Sequence, residues 1–287
     1  ISVARPYRPL LTNAARPATY EVEAYNERGE MVPTSIAGEH PLTLYLDKRE
    51  IVTLMTLGHA PEALAIGYLR NQRLVKSLAD IASVQVDWET DSVAVTTRGR
   101  SAKNVTEKMK KRTVTTGCGQ GTVFGDLMEE IDKVKLRADV RLAEAQLFDL
   151  LEKVRKHETI YKQAGAVHGC ALARATGPDT AEIMMFIEDV GRHNAVDAIA
   201  GFMWLDAIDG SDKIFYTTGR LTSEMVIKCA QMAIPFLVSR SGLTKMGHEV
   251  AQRVRLTMLG RASGRHYLAF TGRQRIVRQM PQATAFA

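Results

Sequence analysis

Cys118 lies in TVTTGCGQGTVFGD (113–126), flanked by Gly117 and Gly119 and followed by Gly121 and Gly125. Four bases, Lys108, Lys110, Lys111 and Arg112, precede it. Nearby positive charge favours thiolate over thiol, and a segment free of bulky side chains lets another sulfur approach. Such a residue can perform nucleophilic sulfur exchange. The bland alternative is a small apolar residue in a loop, but a buried cysteine is expected among apolar neighbours. Cys170 in GCALARA and Cys229 in EMVIKCAQMA have such neighbours and are expected in the core. The wide spacing of the three cysteines argues against a disulfide framework and fits a reducing compartment.

A second group of residues suits phosphate. Three junctions between an expected strand and an expected helix carry Arg192, His193 and Asn194; Thr218, Arg220 and Ser223; and Ser239, Arg240 and Ser241. Hydroxyls, glycine N–H groups, an arginine and a helix N-terminus together favour an anion. Each set alone reads equally well as helix capping. Three in succession predict a pocket for a large polar ligand, and FTGRQR (270–275) adds Arg273 and Arg275.

The charge is distributed to match. Of a net +6, residues 98–112 carry +6 and the stretch after Ala251 carries seven arginines and no acid, so the remainder is −7. A local positive field attracts phosphate. No aromatic stacking platform or recognised motif accompanies it, so a nucleic-acid partner is not expected. The seven histidines include no H-E-x-x-H, His-x-Glu or paired Cys-x-x-Cys, so no zinc is expected.

These residues need elements to position them. Residues 1–17 are basic and aperiodic and are expected to form a mobile arm. Residues 18–112 form a strand-rich region: YEVEAY, LTLYL and IVTLMTL read as strands, the last two as a hairpin. A helix follows from Pro61, with Leu64, Tyr68 and Leu69 on one face, and then a second hairpin, VQVDW and SVAVTT. After the glycine-rich cysteine loop (113–126), residues 127–287 alternate strands and helices as an α/β domain with loops at the strand ends forming a ligand crevice. No stretch approaches the roughly 20 apolar residues that span a bilayer and no signal-peptide core opens the chain, so a cytoplasmic protein without membrane contact is expected.

From Glu39 to Arg275 the chain resembles the formate dehydrogenase accessory sulfurtransferase family, written FdhD or NarQ. The resemblance runs through EHPLTLYLDKREIVTLMT, TTGCG, VHGCALA, EDVGRHNAVDAIAG, TTGRLTSEMVIKCAQMAIPFLVSRSGLT and YLAFTGRQR, in order. It implies a three-layer α/β/α fold, similar to cytidine deaminases without their zinc, preceded by a smaller strand-rich region. It also implies a sulfurtransferase that takes persulfide sulfur from a cysteine desulfurase and delivers it to the bis-molybdopterin guanine dinucleotide molybdenum cofactor. The client would be a formate dehydrogenase or related molybdoenzyme. The family's persulfide cysteine falls on Cys118, and its cofactor-binding stretch on Phe270, Thr271, Gly272, Arg273, Gln274 and Arg275. A homodimer is implied, with GDP as an analogue of the cofactor.

One position departs from the pattern. Many members carry Cys-x-x-Cys in the loop, where this chain has Gly121. A single thiolate can still accept and pass on sulfur. A protein that only binds and protects the cofactor is the alternative.

Overall fold

The computed structural model describes residues 7–99, 113–114, 121–122, 128, 130–157 and 159–278; Cys118 and most of the basic segment lie outside the described residues. Apolar alternation builds the first sheet, in which Leu42, Leu44 and Leu46 of one strand all turn to the core. Its strands are β1 (Leu10–Leu11), β4 (His40–Leu46), β5 (Arg49–Thr56), β6 (Ile81–Asp87) and β7 (Ser92–Thr97), in the order β1-β6-β7-β4-β5. Both expected hairpins are present. β2 (Thr19–Tyr25) and β3 (Met31–Ala37) form a separate antiparallel ribbon. β3 escapes a reading by alternation because Pro33, Thr34 and Ser35 interrupt any apolar pattern.

The expectation of a mobile arm is corrected over residues 7–17. Leu10 pairs opposite Ser83 in a parallel ladder, and the Tyr7 hydroxyl donates to the Ile81 carbonyl at 2.6 Å. The Thr12 hydroxyl and the Ala14 amide donate to Glu62, and the Trp88 indole donates to the Ala14 carbonyl. These partners are 48 to 74 residues away, so nothing local announces them.

Pro61 opens helix α1 (Pro61–Asn71), where its missing N–H leaves no bond unmade. Every residue of α1 except Arg70 is buried, not just the face of Leu64, Tyr68 and Leu69. The reason is its position between the first sheet and a second helix, within one apolar core.

The second half is built on six strands: β11 (His168–Ala175), β12 (Ala181–Asp189), β13 (Lys213–Thr217), β14 (Phe236–Ser239), β15 (Thr257–Ser263) and β16 (His266–Thr271). The order is β12-β11-β13-β14-β15-β16, with β13, β14 and β15 parallel and β11 antiparallel to both neighbours. The helices are α2 (Glu144–His157), α3 (Thr159–Ala164), α4 (Arg192–Leu205), α5 (Ser223–Gln231) and α6 (Lys245–Arg253). Alternation divides the sheet between two cores. Cys170, Leu172, Phe215 and Leu237 face α4, α5 and α6, whereas Ala171, Ala173, Tyr216 and Val238 face α2. The result is three layers, α/β/α. Gly260 and Arg261 disguise β15 in the sequence, and the strand is specified by its neighbours β14 and β16.

Short pairings complete the chain: β8 (Thr113–Val114) with β9 (Gly121–Thr122), and β10 (Leu142–Ala143) with β17 (Ile276–Val277). Among the described residues no helix is long and apolar enough to cross a membrane.

Candidate functional site

Strand direction decides which residues meet. β13 and β14 end at Thr217 and Ser239, while antiparallel β11 starts at His168 opposite Asp189, the last residue of β12. All four ends therefore lie along one edge of the sheet. The loops leaving it are zipped together: the Leu221 amide donates to the Gly242 carbonyl at 3.0 Å, and the Thr244 amide to the Leu221 carbonyl at 3.1 Å. The Ser239 hydroxyl donates to the Gly219 carbonyl at 2.7 Å and accepts from the Ser241 amide at 2.9 Å. Ser239 thus holds the two loops in place and is itself buried.

His168 stands at the centre of this edge. The sequence reading passed over it because a lone histidine at a strand start carries no spacing signal. Its Nδ1 lies 3.4 Å from the Thr218 hydroxyl, which accepts the Gly169 amide at 3.1 Å. Burial pushes the imidazole pKa below its usual value, and Arg192, Arg240 and Arg220 push it in the same direction. Arginines from three different junctions thus act electrostatically on one half-buried ring. Arg220 and Arg240 are exposed, the Arg240 guanidinium 5.5 Å from the centre of the Tyr161 ring, and Arg192 is buried. Gly219 makes room for Arg192: a Cβ there would stand 2.5 Å from the arginine Cδ.

Beneath the arginines lies a buried polar layer. His193 Nε2 is 3.4 Å from Glu224, and Lys228 is 2.8 Å from Asp197, which also accepts from Asn71. Burial, with Lys228, Arg192 and His168, holds the His193 pKa well below the usual value, so the ring is neutral near pH 7. Burial would lower the Lys228 pKa too, but Asp197 and Glu224 outweigh it and keep the ammonium charged. Among the described residues three buried polar atoms here have no hydrogen-bond partner, Arg192 Nε, His193 Nδ1 and Thr222 Oγ1, while Glu224 Oε1 faces the Lys228 ammonium at 3.7 Å. Buried polar groups are ordinarily satisfied, so their concentration at the starts of α4 and α5 marks a place built to meet polar atoms.

Several expected ligand contacts turn out to be braces. Asn194 Nδ2 donates to the Met55 carbonyl at 2.6 Å and to Asp189, which also accepts from the Thr56 hydroxyl at 2.6 Å. This residue joins the two halves of the molecule. Arg275 is 2% exposed, and its guanidinium donates to the carbonyls of Arg137 and Arg255 and to the Thr257 hydroxyl. Thr271 is buried and bonded to Leu256 and Met258. Ser223 opens α5 half-buried at the crevice.

The C-terminal stretch is divided between two places. Gly272, in the left-handed conformation, sits on Thr257, at the start of β15, whereas Ser241 meets Arg261 near its end. Four residues of strand separate the two places, about 13 Å at roughly 3.3 Å per residue. Arg273 and Gln274 are exposed and line a cleft of about 790 Å³ with Glu144, Phe148, Arg265 and Tyr267; Phe148 and Arg265 also line a cleft of about 570 Å³ bordered by Arg240. Phe270 instead packs its ring on Gly260, beside the Ser241 carbonyl. Among the described residues no cluster of His, Cys, Asp and Glu has the makings of a metal site.

Comparisons with known proteins give the same outline. The FdhD/NarQ family profile matches residues 37–277. The sulfur carrier protein FdhD of Listeria innocua is 29% identical over 252 residues, covering 85% of this chain and 92% of the relative. Its namesake in Wolinella succinogenes is 29% identical over 238 residues, covering 83% and 81%. The crystal structure of a candidate formate dehydrogenase accessory protein from Desulfotalea psychrophila superposes with a TM-score of 0.69 at 25% identity, covering 90% of this chain and 98% of that one. With a family match over most of its length and a fold to agree, this chain belongs to the FdhD/NarQ family.

Proposed function

We propose that this protein is a cytoplasmic, homodimeric sulfurtransferase. It accepts persulfide sulfur from a cysteine desulfurase and passes it to the bis-molybdopterin guanine dinucleotide cofactor of a formate dehydrogenase or related molybdoenzyme. The observation that carries the ligand side is that the junctions bearing Arg192, Arg220 and Arg240 lie along the one sheet edge that holds His168, beside buried polar atoms that have no hydrogen-bond partner among the described residues. Diphosphates are bound by such a set of guanidinium, hydroxyl and N–H donors. The relatives named as sulfur carriers and the accessory protein of like fold support the sulfur side.

Chemistry favours Cys118 as the carrier. Cys170 is fully buried and its thiol is pushed up to about 12; burial pushes the Cys229 thiol up as well. Neither forms a thiolate near neutral pH, and the thiolate is the nucleophile. In the proposed step the Cys118 thiolate attacks the outer sulfur of the donor persulfide. A new S–S bond forms on Cys118 while the donor's S–S bond breaks, and the donor cysteine leaves as thiolate.

The test is mass spectrometry after incubation with a cysteine desulfurase and cysteine. An added 32 Da on the peptide containing Cys118, about one sulfur atom, is expected, with none on Cys170 or Cys229. Cys118→Ala should remove it and abolish activation of the client enzyme. A second reading, a cofactor-binding chaperone that needs no thiol, is favoured by Gly121 in place of the second loop cysteine. Full client activation by Cys118→Ala would select it.

A further inference from the structure

The helix layer that faces Ala171, Ala173, Tyr216 and Val238 is narrower than the sheet beneath it. A helix is about 10 Å across and strands lie about 4.8 Å apart, so one helix covers about two strands. α2 lies over β11 and β12, and the sheet has six strands. Across the gap from α2 stands the turn between β15 and β16, with Gly264 and Arg265. Between them lies the cleft of about 570 Å³, with the buried Leu151, Val154, Tyr216 and Ala262 at its base.

Phe148 and Arg265 belong both to this cleft and to the larger one that holds Arg273. The Arg265 guanidinium is 5.4 Å from the centre of the Phe148 ring. Tyr267, which lines only the larger cleft, has its ring 6.2 Å from that of Phe148. The two clefts are therefore neighbours along one trough, with Arg265 at their junction, and the smaller cleft extends to Arg240 in the loop after β14.

Charge is uneven along the walls. The acids of the smaller cleft are engaged from outside it: Asp149 by Lys153 at 2.6 Å and by the Ala181 amide at 2.8 Å, and Glu152 by Lys156 at 2.9 Å. In the larger cleft Glu144 accepts from the Tyr267 hydroxyl at 2.5 Å and lies 3.7 Å from Arg278. Arg155, Arg265 and Arg273 are exposed and form no ion pair among the described residues. Each cleft thus combines apolar side chains against which a ring can lie with an arginine that can take a phosphate, and Arg265 stands where phosphates from both would meet. Both volumes fall within the roughly 300 to 1,000 Å³ of small-ligand sites.

We propose that each chain binds two nucleotide arms side by side, one in each cleft, with Arg155 and Arg273 as their separate phosphate partners and Arg265 shared. The inference deepens the reading of this protein as a cofactor binder and rests on it. A ligand whose two phosphate-bearing arms diverge from Arg265 fills the whole trough, whereas a ligand with one arm leaves the smaller cleft unused.

GDP, a single arm, is the probe, titrated calorimetrically into the full-length protein. Two GDP per chain are expected. Arg155→Ala should weaken one site roughly tenfold and spare the other, Arg273→Ala should do the reverse, and Arg265→Ala should weaken both. Arg265→Lys, which keeps the charge but loses the planar fork, should recover part of the affinity. All three arginines are exposed, so the thermal unfolding midpoints of the variants should match the parent's. One GDP per chain, weakened by Arg273→Ala and untouched by Arg155→Ala, overturns the inference and leaves the cofactor reading in place on the larger cleft. Two GDP per chain, with Arg155→Ala or Arg265→Ala affecting neither, puts the second site elsewhere and overturns it as well. Absence of GDP binding overturns both the inference and the cofactor reading.

Discussion

Gly67 of α1 and Gly201 of α4 meet backbone to backbone. A Cβ on Gly67 would stand 1.6 Å from the Asp197 carbonyl oxygen and 2.7 Å from the Gly201 amide nitrogen, and one on Gly201 would stand 1.9 Å from the Ala63 carbonyl oxygen. No side-chain rotation relieves such contacts, because the opposing atoms are main chain. The crossing fixes where Asp197 lies, and through Lys228 and Glu224 it sets the floor of the crevice.

Gly67→Ala and Gly201→Ala should each destabilise the fold by at least the about 3 kcal/mol at the upper end of ordinary overpacking. Urea unfolding measures this. Because both substitutions push the same two helices apart, the double variant should lose less than the sum of the singles. Either single variant with an unchanged unfolding midpoint would show that the helices do not cross this closely.

Arg273 and Arg275, two residues apart in sequence, should fail differently. Arg275→Ala leaves the Arg137 and Arg255 carbonyls without their donor and should cost on the order of 3 kcal/mol of stability, as expected for several hydrogen bonds from a charged group. Arg273→Ala, at an exposed position, should leave stability within about 0.5 kcal/mol and change only ligand binding. Thermal unfolding and GDP calorimetry on both variants separate the roles. Equal loss of stability in the two would refute the division.

Acid should weaken the fold through His193. Its folded pKa lies well below the unfolded value near 6.5, so in the window between them the unfolded chain holds the extra proton. Stability is therefore full above about pH 6.5 and falls as pH drops below it, by up to about 1.4 kcal/mol per pH unit. The raised pKa values of the buried Asp197 and Glu224 act with the opposite sign, from about pH 4 upward. Comparing His193→Gln with the parent isolates the histidine. Urea midpoints at pH 7.5 and 5.5 should differ less in the variant, and identical pH dependence would sink the assignment.

The local sequence determined much of this protein. Leu42, Leu44 and Leu46 specify a half-buried strand by their spacing alone, and Pro61 specifies a helix start, because periodicity and φ restriction act within a few residues. The three strand-to-helix junctions were equally legible, since the residues that begin a helix announce themselves locally. The family motifs drew attention to Cys118, and the apolar settings of Cys170 and Cys229 foretold their burial. Long-range contacts decided the rest. β1 finds β6 across more than 70 residues, and β3 and β15 are strands by virtue of their neighbours. The division of a single run of arginines into a brace, Arg275, and an exposed group, Arg273, depends on which carbonyls come within reach after folding. His168 joins the crevice for the same reason: an antiparallel strand delivers its first residue to the edge where two parallel strands deliver their last, and sequence spacing carries no record of strand direction.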